Sequence, residues 1–241
     1  MPYLRLICVF GLFGLGVAVF SPLSAQSQLN LDLTHFPEAN NKDYLIHHLF
    51  KGKQFVPYPY SVVGSPNHAD LDILEDGILV YDGLLYKEIP LMYNLVDDVV
   101  VSRHPVRMVN VILEPHLIQA FQLGDDRFVN LTDKERALAP GLYQVIYDGD
   151  RFVSLARRSK ALHNYRNGSI LERRYNASVD FYLYFPEEDR VQLIRTQSDL
   201  LRIAPESRRE LRRLIRSQGL RFKKEPEQVI ATVLEFIAQS N

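Results

Sequence analysis

The sequence predicts a mainly β protein, α+β overall: an antiparallel meander forming a sandwich or half-barrel, followed by two C-terminal amphipathic helices. From about residue 71, short apolar runs recur at 78–81, 84–93, 99–103, 109–113, 117–123, 127–131, 142–147, 151–157, 175–185 and 190–195. Turn residues separate them at the spacing of an all-β sheet. After residue 198 the apolar positions instead repeat with the longer period of a helix. The chain therefore divides into a signal peptide (1–25), an irregular N-terminal extension (26–70), an antiparallel β domain (71–197) and a helical tail packed on that domain (198–241).

The first 28 residues read MPYLRLICVFGLFGLGVAVFSPLSAQSQ. Arg5 supplies a positive start, Leu6 to Phe20 an apolar stretch, and Leu23-Ser24-Ala25 a small-residue cleavage site, the pattern of a secretory signal cut after Ala25. An apolar stretch of roughly 15 residues is shorter than the roughly 20 that a spanning helix needs, and no later stretch is long enough, so no transmembrane segment is expected in the mature chain. Cys8, the single cysteine, lies inside this segment. The mature chain thus has no disulfide, thiolate metal site or cysteine nucleophile. Residues 26–66 show no sustained period, and one short helix is expected around Asp43 to Phe50.

Within the β domain, Asp82-Gly83, Asp148-Gly149 and Pro186 to Asp189 each stand where a hairpin turn belongs. Strict alternation over 84–93 places Tyr86 on one face with Leu84 and Glu88, and Leu85, Lys87, Ile89, Leu91 and Tyr93 on the other. Pro90 cannot donate to a ladder, which marks an edge strand or a break. Tyr81, Tyr86 and Tyr93 are candidate binding residues if they share an exposed face; the commoner role for such tyrosines is an amphipathic rim over a core. In DFYLYF, Phe181, Leu183 and Phe185 fall on one side, Tyr182 and Tyr184 on the other.

In the tail, Ser207 to Glu210 has capping-box spacing, Leu211, Leu214 and Ile215 form an apolar stripe, and Gly219 is placed to end the helix. A second helix begins at Glu225-Pro226 and buries Val229, Ile230, Val233, Leu234 and Ile237.

Chemistry is harder to find. No G-x-S-x-G elbow, H-E-x-x-H helix, P-loop or G-x-G-x-x-G is present in the mature chain, so the residues name no catalytic group and no cofactor. Asp97 and Asp98 are adjacent and fit a hairpin turn better than a carboxylate dyad. Asp70 to Gly77, DLDILEDG, has a leucine, Leu74, where a calcium loop needs an oxygen ligand. The histidines His47, His48, His104 and His116 match no zinc spacing, so no metal site is assigned.

Charge is distributed unevenly. The chain carries 28 basic and 29 acidic residues, yet eight acids stand against Lys87 alone between Asn67 and Asp98. From Arg157 to Arg174 six bases face Glu172, and from Ser198 onward nine bases face six acids. Arg208, Arg212, Arg213 and Arg216, with Arg209, load one helix with cations opposite its apolar stripe. They are the candidate contacts for phosphate, acidic lipid headgroups or an acidic protein. Nucleic acid is not expected as a partner of an exported chain. Sequons at Asn130, Asn167 and Asn176 matter only in a source that glycosylates asparagine.

GLYQVIYDGDRFVSLARRSK, followed by FYLYFPEEDRVQLIRTQSDLLRIAPESRRELRRLIRSQGLRFKKEPEQVIATVLEFI, resembles a family of exported β-rich proteins of the Bacteroidota with no established activity. The likeness covers about residues 75–238 and rests on Gly141-x-Tyr143, Tyr147-Asp-Gly149, an aromatic strand, a turn and paired basic helices. It implies periplasmic or cell-surface residence and carries over no functional residue.

These observations lead to an expectation of an exported, non-enzymatic cell-envelope protein that binds another protein or an anionic envelope component. The alternatives are a hydrolase or glycan-active enzyme with a convergent site, and a carrier that holds an apolar ligand on the concave side of the sheet. Two carboxylates in a cleft favour the enzyme, an apolar cavity the carrier, and a packed core with an exposed patch the binding protein.

Overall fold

The computed structural model describes residues 33–39, 47–58, 62–132, 138–167 and 170–240. The proposed signal lies outside them, as does most of the helix expected near residue 45, of which residues 47–49 are helical. Strands take up 45% of the chain and helices 21%, so the protein is mainly β, as its sequence predicts.

Ten strands form one antiparallel sheet: β1 Glu75–Tyr81, β2 Leu84–Asn94, β3 Val99–Arg103, β4 Asn110–Ile112, β5 Ile118–Leu123, β6 Asp126–Leu131, β7 Gly141–Asp148, β8 Val153–Asn167, β9 Ile170–Phe185 and β10 Arg190–Ile194. Helices α1 Gln197–Leu200, α2 Arg208–Ser217 and α3 Pro226–Gln239 follow. The strand order is β10-β9-β8-β7-β6-β5-β1-β2-β3-β4, and the sheet does not close into a barrel.

Chain order and sheet order part at one place, where the link after β4 returns to put β5 beside β1. Crossing four strand spacings of about 4.8 Å on a flat sheet takes about 19 Å. The link is short, and Pro115–Leu117 coils into a 3-10 turn, which uses up most of its reach at about 3.5 Å per extended residue. Strands β1 to β4 must therefore roll toward β5. Register shifts at Gly77/Leu79, Val80/Tyr81 and Val145/Tyr147 supply bends, since an extra residue in one strand kinks and twists it.

The first of these shifts corrects the strand-face reading. Gly77 pairs with Ile89 and Leu79 with Tyr86, leaving Lys87 and Glu88 in a bulge with Glu88 at φ 54°. The bulge resets the alternation. Tyr86 consequently shares one core with Ile89, Leu91 and Tyr93, together with Tyr81, Phe121 and Phe128, while Leu85 joins a second core with Val80, Tyr143 and Leu155. Tyr81, Tyr86 and Tyr93 are 0%, 1% and 2% exposed. These three tyrosines therefore form no exposed binding face but belong to the core, while Asp82, Lys87, Glu88 and Asp97 of the stretch 78–101 are exposed.

A third core lies between the β7–β10 end of the sheet and the helices. Phe181, Leu183 and Phe185 point into it, while Tyr184 joins the second core, as alternation predicts. The five expected residues of α3 are all buried there, with Leu211 and Ile215 of α2.

Strands β8 and β9 run well past their expected ends. Pairing of β8 with β7 stops at Ala156 and of β9 with β10 at Phe181, yet the two strands stay paired to Asn167 and Ile170. This distal part is a two-stranded ribbon, exposed along most of its length. The N-terminal extension ties down several edges: Gln54 bridges Val111 on edge strand β4, Glu38 bridges Leu85, Asn67 bridges Asn94, and Val63 bridges Arg174 in the outer half of the ribbon. Covering an edge removes a template for unwanted strand pairing.

Candidate functional site

The best candidate is a groove of about 620 Å³ where β10 passes into the helical tail. Thr196 caps α1 by accepting from the Asp199 N–H at 3.2 Å, and the Asp199 carboxylate accepts from the Thr196 N–H at 2.8 Å. This reciprocal box satisfies amide groups that a helix start leaves open. It also fixes Arg195 at the groove entrance. Ser207, by contrast, makes no side-chain cap to α2, so the box expected there does not form.

The other wall is set by the end of α2. Gly219 takes φ 69°, its N–H donates to the Arg216 carbonyl at 3.0 Å, and the Leu220 N–H donates to the Ile215 carbonyl at 3.1 Å. This Schellman closure turns the chain sharply. Residues 220–223 fold back beside the helix as a result. Arg212 and Arg216, one turn apart, then face Arg195, Arg221 and Lys223 around an apolar floor of Leu201, Ile215, Leu220 and Phe222.

No acidic residue lines the groove. All five cations are exposed, and none forms an ion pair among the described residues. The carboxylate of α1 is already engaged: Asp199 accepts from the Thr196 hydroxyl at 2.9 Å and pairs with Arg202. The hydroxyl hydrogen bond is the main reason its pKa falls below the usual carboxylate value; desolvation opposes it, and backbone donors and Arg202 add to the lowering. Asp199 and Glu225 border the groove, accepting from the Arg195 and Arg221 backbone amides at 3.1 and 3.2 Å, but neither is part of the lining, whose five cations leave the concavity positive.

Of the residues singled out from sequence, Arg212 and Arg216 enter this groove, while Arg208 and Arg213 lie exposed on α2 outside its lining. Arg195, Arg221 and Lys223 were not anticipated. Thr196 and Asp199, spaced as a capping pair directly after a strand, are the signal that marks the first of them.

Elsewhere the suggestive clusters are consumed internally. Asp97 accepts from the Tyr58 hydroxyl, while Asp98 accepts from the Tyr93 hydroxyl at 2.6 Å and pairs with Arg157 at 3.4 Å. The two carboxylates thus serve different partners. Burial first, then the Asp98 charge, pushes the Tyr93 hydroxyl far above its ordinary pKa. Arg157 also donates to the Pro140 carbonyl and the Tyr143 hydroxyl; burial works against its charge, but Tyr143 first and then Asp98 raise its pKa overall. In DLDILEDG, Asp72 accepts from Ser65 and Asn67, and Asp70 pairs with Lys160. His104 accepts from the Val106 and Arg107 amides, whereas His48 sits near Asp82. Among the described residues, no group of three or more histidine, cysteine or acidic side chains is placed to hold a metal.

One shallow crevice of about 320 Å³ does collect two carboxylates, Asp76 and Glu88, beside Lys87 at the β1–β2 bulge. Another, of about 350 Å³, has Asp98 at its margin, already paired with Arg157, and His116.

The fold and groove together define a class: a mainly β protein whose helical end carries a basic cleft. No family model matches the chain, and comparisons with curated proteins and with solved structures find no match. No described helix is long and apolar enough to cross a membrane.

Proposed function

We propose that this is an exported, non-enzymatic cell-envelope protein that takes an anionic partner in the basic groove. The observation that carries this reading is the set of five cations, Arg195, Arg212, Arg216, Arg221 and Lys223, around an apolar floor without a carboxylate in the lining. Solvated surface charge is normally mixed in sign. A concave, single-sign cluster over apolar side chains is instead suited to a ligand that brings the opposite charge. Export is supported by the signal-like first 25 residues, and envelope residence is the expectation that goes with export.

The test is a crosslinked pull-down of tagged protein from envelope extract, beside an Arg208/Arg212/Arg213/Arg216→Glu variant. A dominant partner captured by the native chain and lost in the variant is the expected result. Identical captures from both proteins contradict the reading. A glycan-active enzyme is the second reading, favoured by the Asp76/Glu88 crevice. It requires that Asp76→Asn and Glu88→Gln each abolish a glycan-cleaving activity of the purified protein.

A further inference from the structure

Resting on that reading, we infer that the ligand of the groove is a single amphiphile with a phosphate-type head and an apolar tail, the tail entering the groove and the head meeting the arginines. Charge points to the head. A phosphate monoester carries about −1.5 to −2 at neutral pH and presents three acceptor oxygens, whereas a carboxylate carries one charge and two oxygens. Five cations from three chain segments exceed what one carboxylate neutralises. Arginine forks also match phosphate geometry, and four of the five are arginine.

The floor points to the tail. Leu201 and Ile215 are buried at its base, and Leu220 and Phe222 are half-buried along its side. Such a floor is of no use to inorganic phosphate, which has nothing to bury. The volume, about 620 Å³, lies within the roughly 300–1,000 Å³ of small-molecule sites.

Direct insertion of the protein into a bilayer does not fit. An interfacial helix needs an exposed apolar face, but the apolar stripe of α3 is spent in the core. Among the described residues, the exposed large apolar side chains, Val56, Val63, Ile73, Val106, Met108, Tyr165 and Leu171, are outside the helical end. Among the described residues, the helical end offers a membrane charge without an apolar wedge, so the tail must come to the groove.

The experiment is a calorimetric titration of the full chain with inorganic phosphate, hexyl phosphate and decyl phosphate below micelle formation, with poly-glutamate as the acidic-peptide control. Each methylene buried should tighten binding about fourfold, until the floor is covered. Arg212→Glu/Arg216→Glu should weaken every alkyl phosphate about tenfold or more, given the strength of charge-assisted hydrogen bonds. Phe222→Ala should flatten the dependence on chain length while keeping the head contact. The length series needs no variant, so it decides the matter even if Phe222→Ala folds poorly.

Incubation with vesicles of phosphatidylcholine containing labelled lysophosphatidic acid separates the two sources of such a ligand. Label carried off the vesicles by the protein supports a membrane source, and binding of free alkyl phosphate without extraction supports a soluble one. Affinity independent of chain length overturns the inference. Binding of poly-glutamate but not of alkyl phosphates also overturns it, while leaving the anionic-partner reading intact. Absence of binding to every probe, with no partner in the pull-down, overturns both.

Discussion

The rolled β1–β6 half and the helical end contrast in where their charges and polar groups find partners. In the rolled half, Asp98 is met by Tyr93 and Arg157, Asp126 by His68 and Gln144, and Asp72 by Ser65 and Asn67. Its most suggestive sequence features are spent on holding the sheet together. At the helical end, five cations share a groove whose lining holds no carboxylate, and Asp199 and Glu225 at its border meet the Arg195 and Arg221 backbone amides rather than the guanidinium groups. A charge cluster answered from within is architecture; one left unanswered at a concave surface is available for a partner.

The contrast can be broken most severely in the aromatic core. Phe128 stacks on Phe121 at 4.7 Å and meets Tyr93 edge-on at 5.2 Å. Phe128→Ala is expected to cost about 3–5 kcal/mol through lost burial and a residual cavity, read from the urea midpoint. Lys160 comes next, because its ammonium donates to the Ser65 carbonyl at 2.9 Å, the Asn67 carbonyl and Asp70. Lys160→Met leaves those carbonyls without their donor and should cost about 1–3 kcal/mol. Faster proteolysis within 62–74 would show this part of the N-terminal extension coming loose.

Tyr93 gives a pH prediction. Its pKa is raised in the folded state, so its contribution is fully present below the ordinary tyrosine value of about 10 and declines as pH rises above it. Stability should therefore fall in alkali, and Tyr93→Phe should make that decline shallower. In a pH series of thermal melts, an unchanged alkaline slope in Tyr93→Phe would contradict the assignment. The smallest effect on stability is expected at the groove. Arg212→Glu/Arg216→Glu should stay within about 0.5 kcal/mol of the native chain, since neither side chain has an ion-pair partner to lose. A large loss of stability would mean that these arginines are structural after all.

Much of the fold was legible because turn chemistry is local. Asp82-Gly83 joins β1 to β2, and Gly219 ends α2, where the residues place them. The Lys87–Glu88 bulge was not legible, because period-two alternation has no means of showing an inserted residue. Its consequence was large, since it moves Tyr86 into the same core as Tyr93. The distal ribbon was missed for another reason: residues such as His163, Asn164 and Arg173 are polar on both faces and leave no alternation to read. At the groove, Arg212 and Arg216 could be paired by helical spacing, but Arg195 and Lys223 are brought beside them only by the fold.

The most direct test of the groove is calorimetric titration of decyl phosphate into the native chain and into Arg212→Glu/Arg216→Glu, with both shown to be folded by their thermal melts. The expected result is saturable one-to-one binding by the native chain, weakened about tenfold or more in the variant. Equal binding by both proteins, or none by either, would contradict a phosphate-headed ligand held by these arginines.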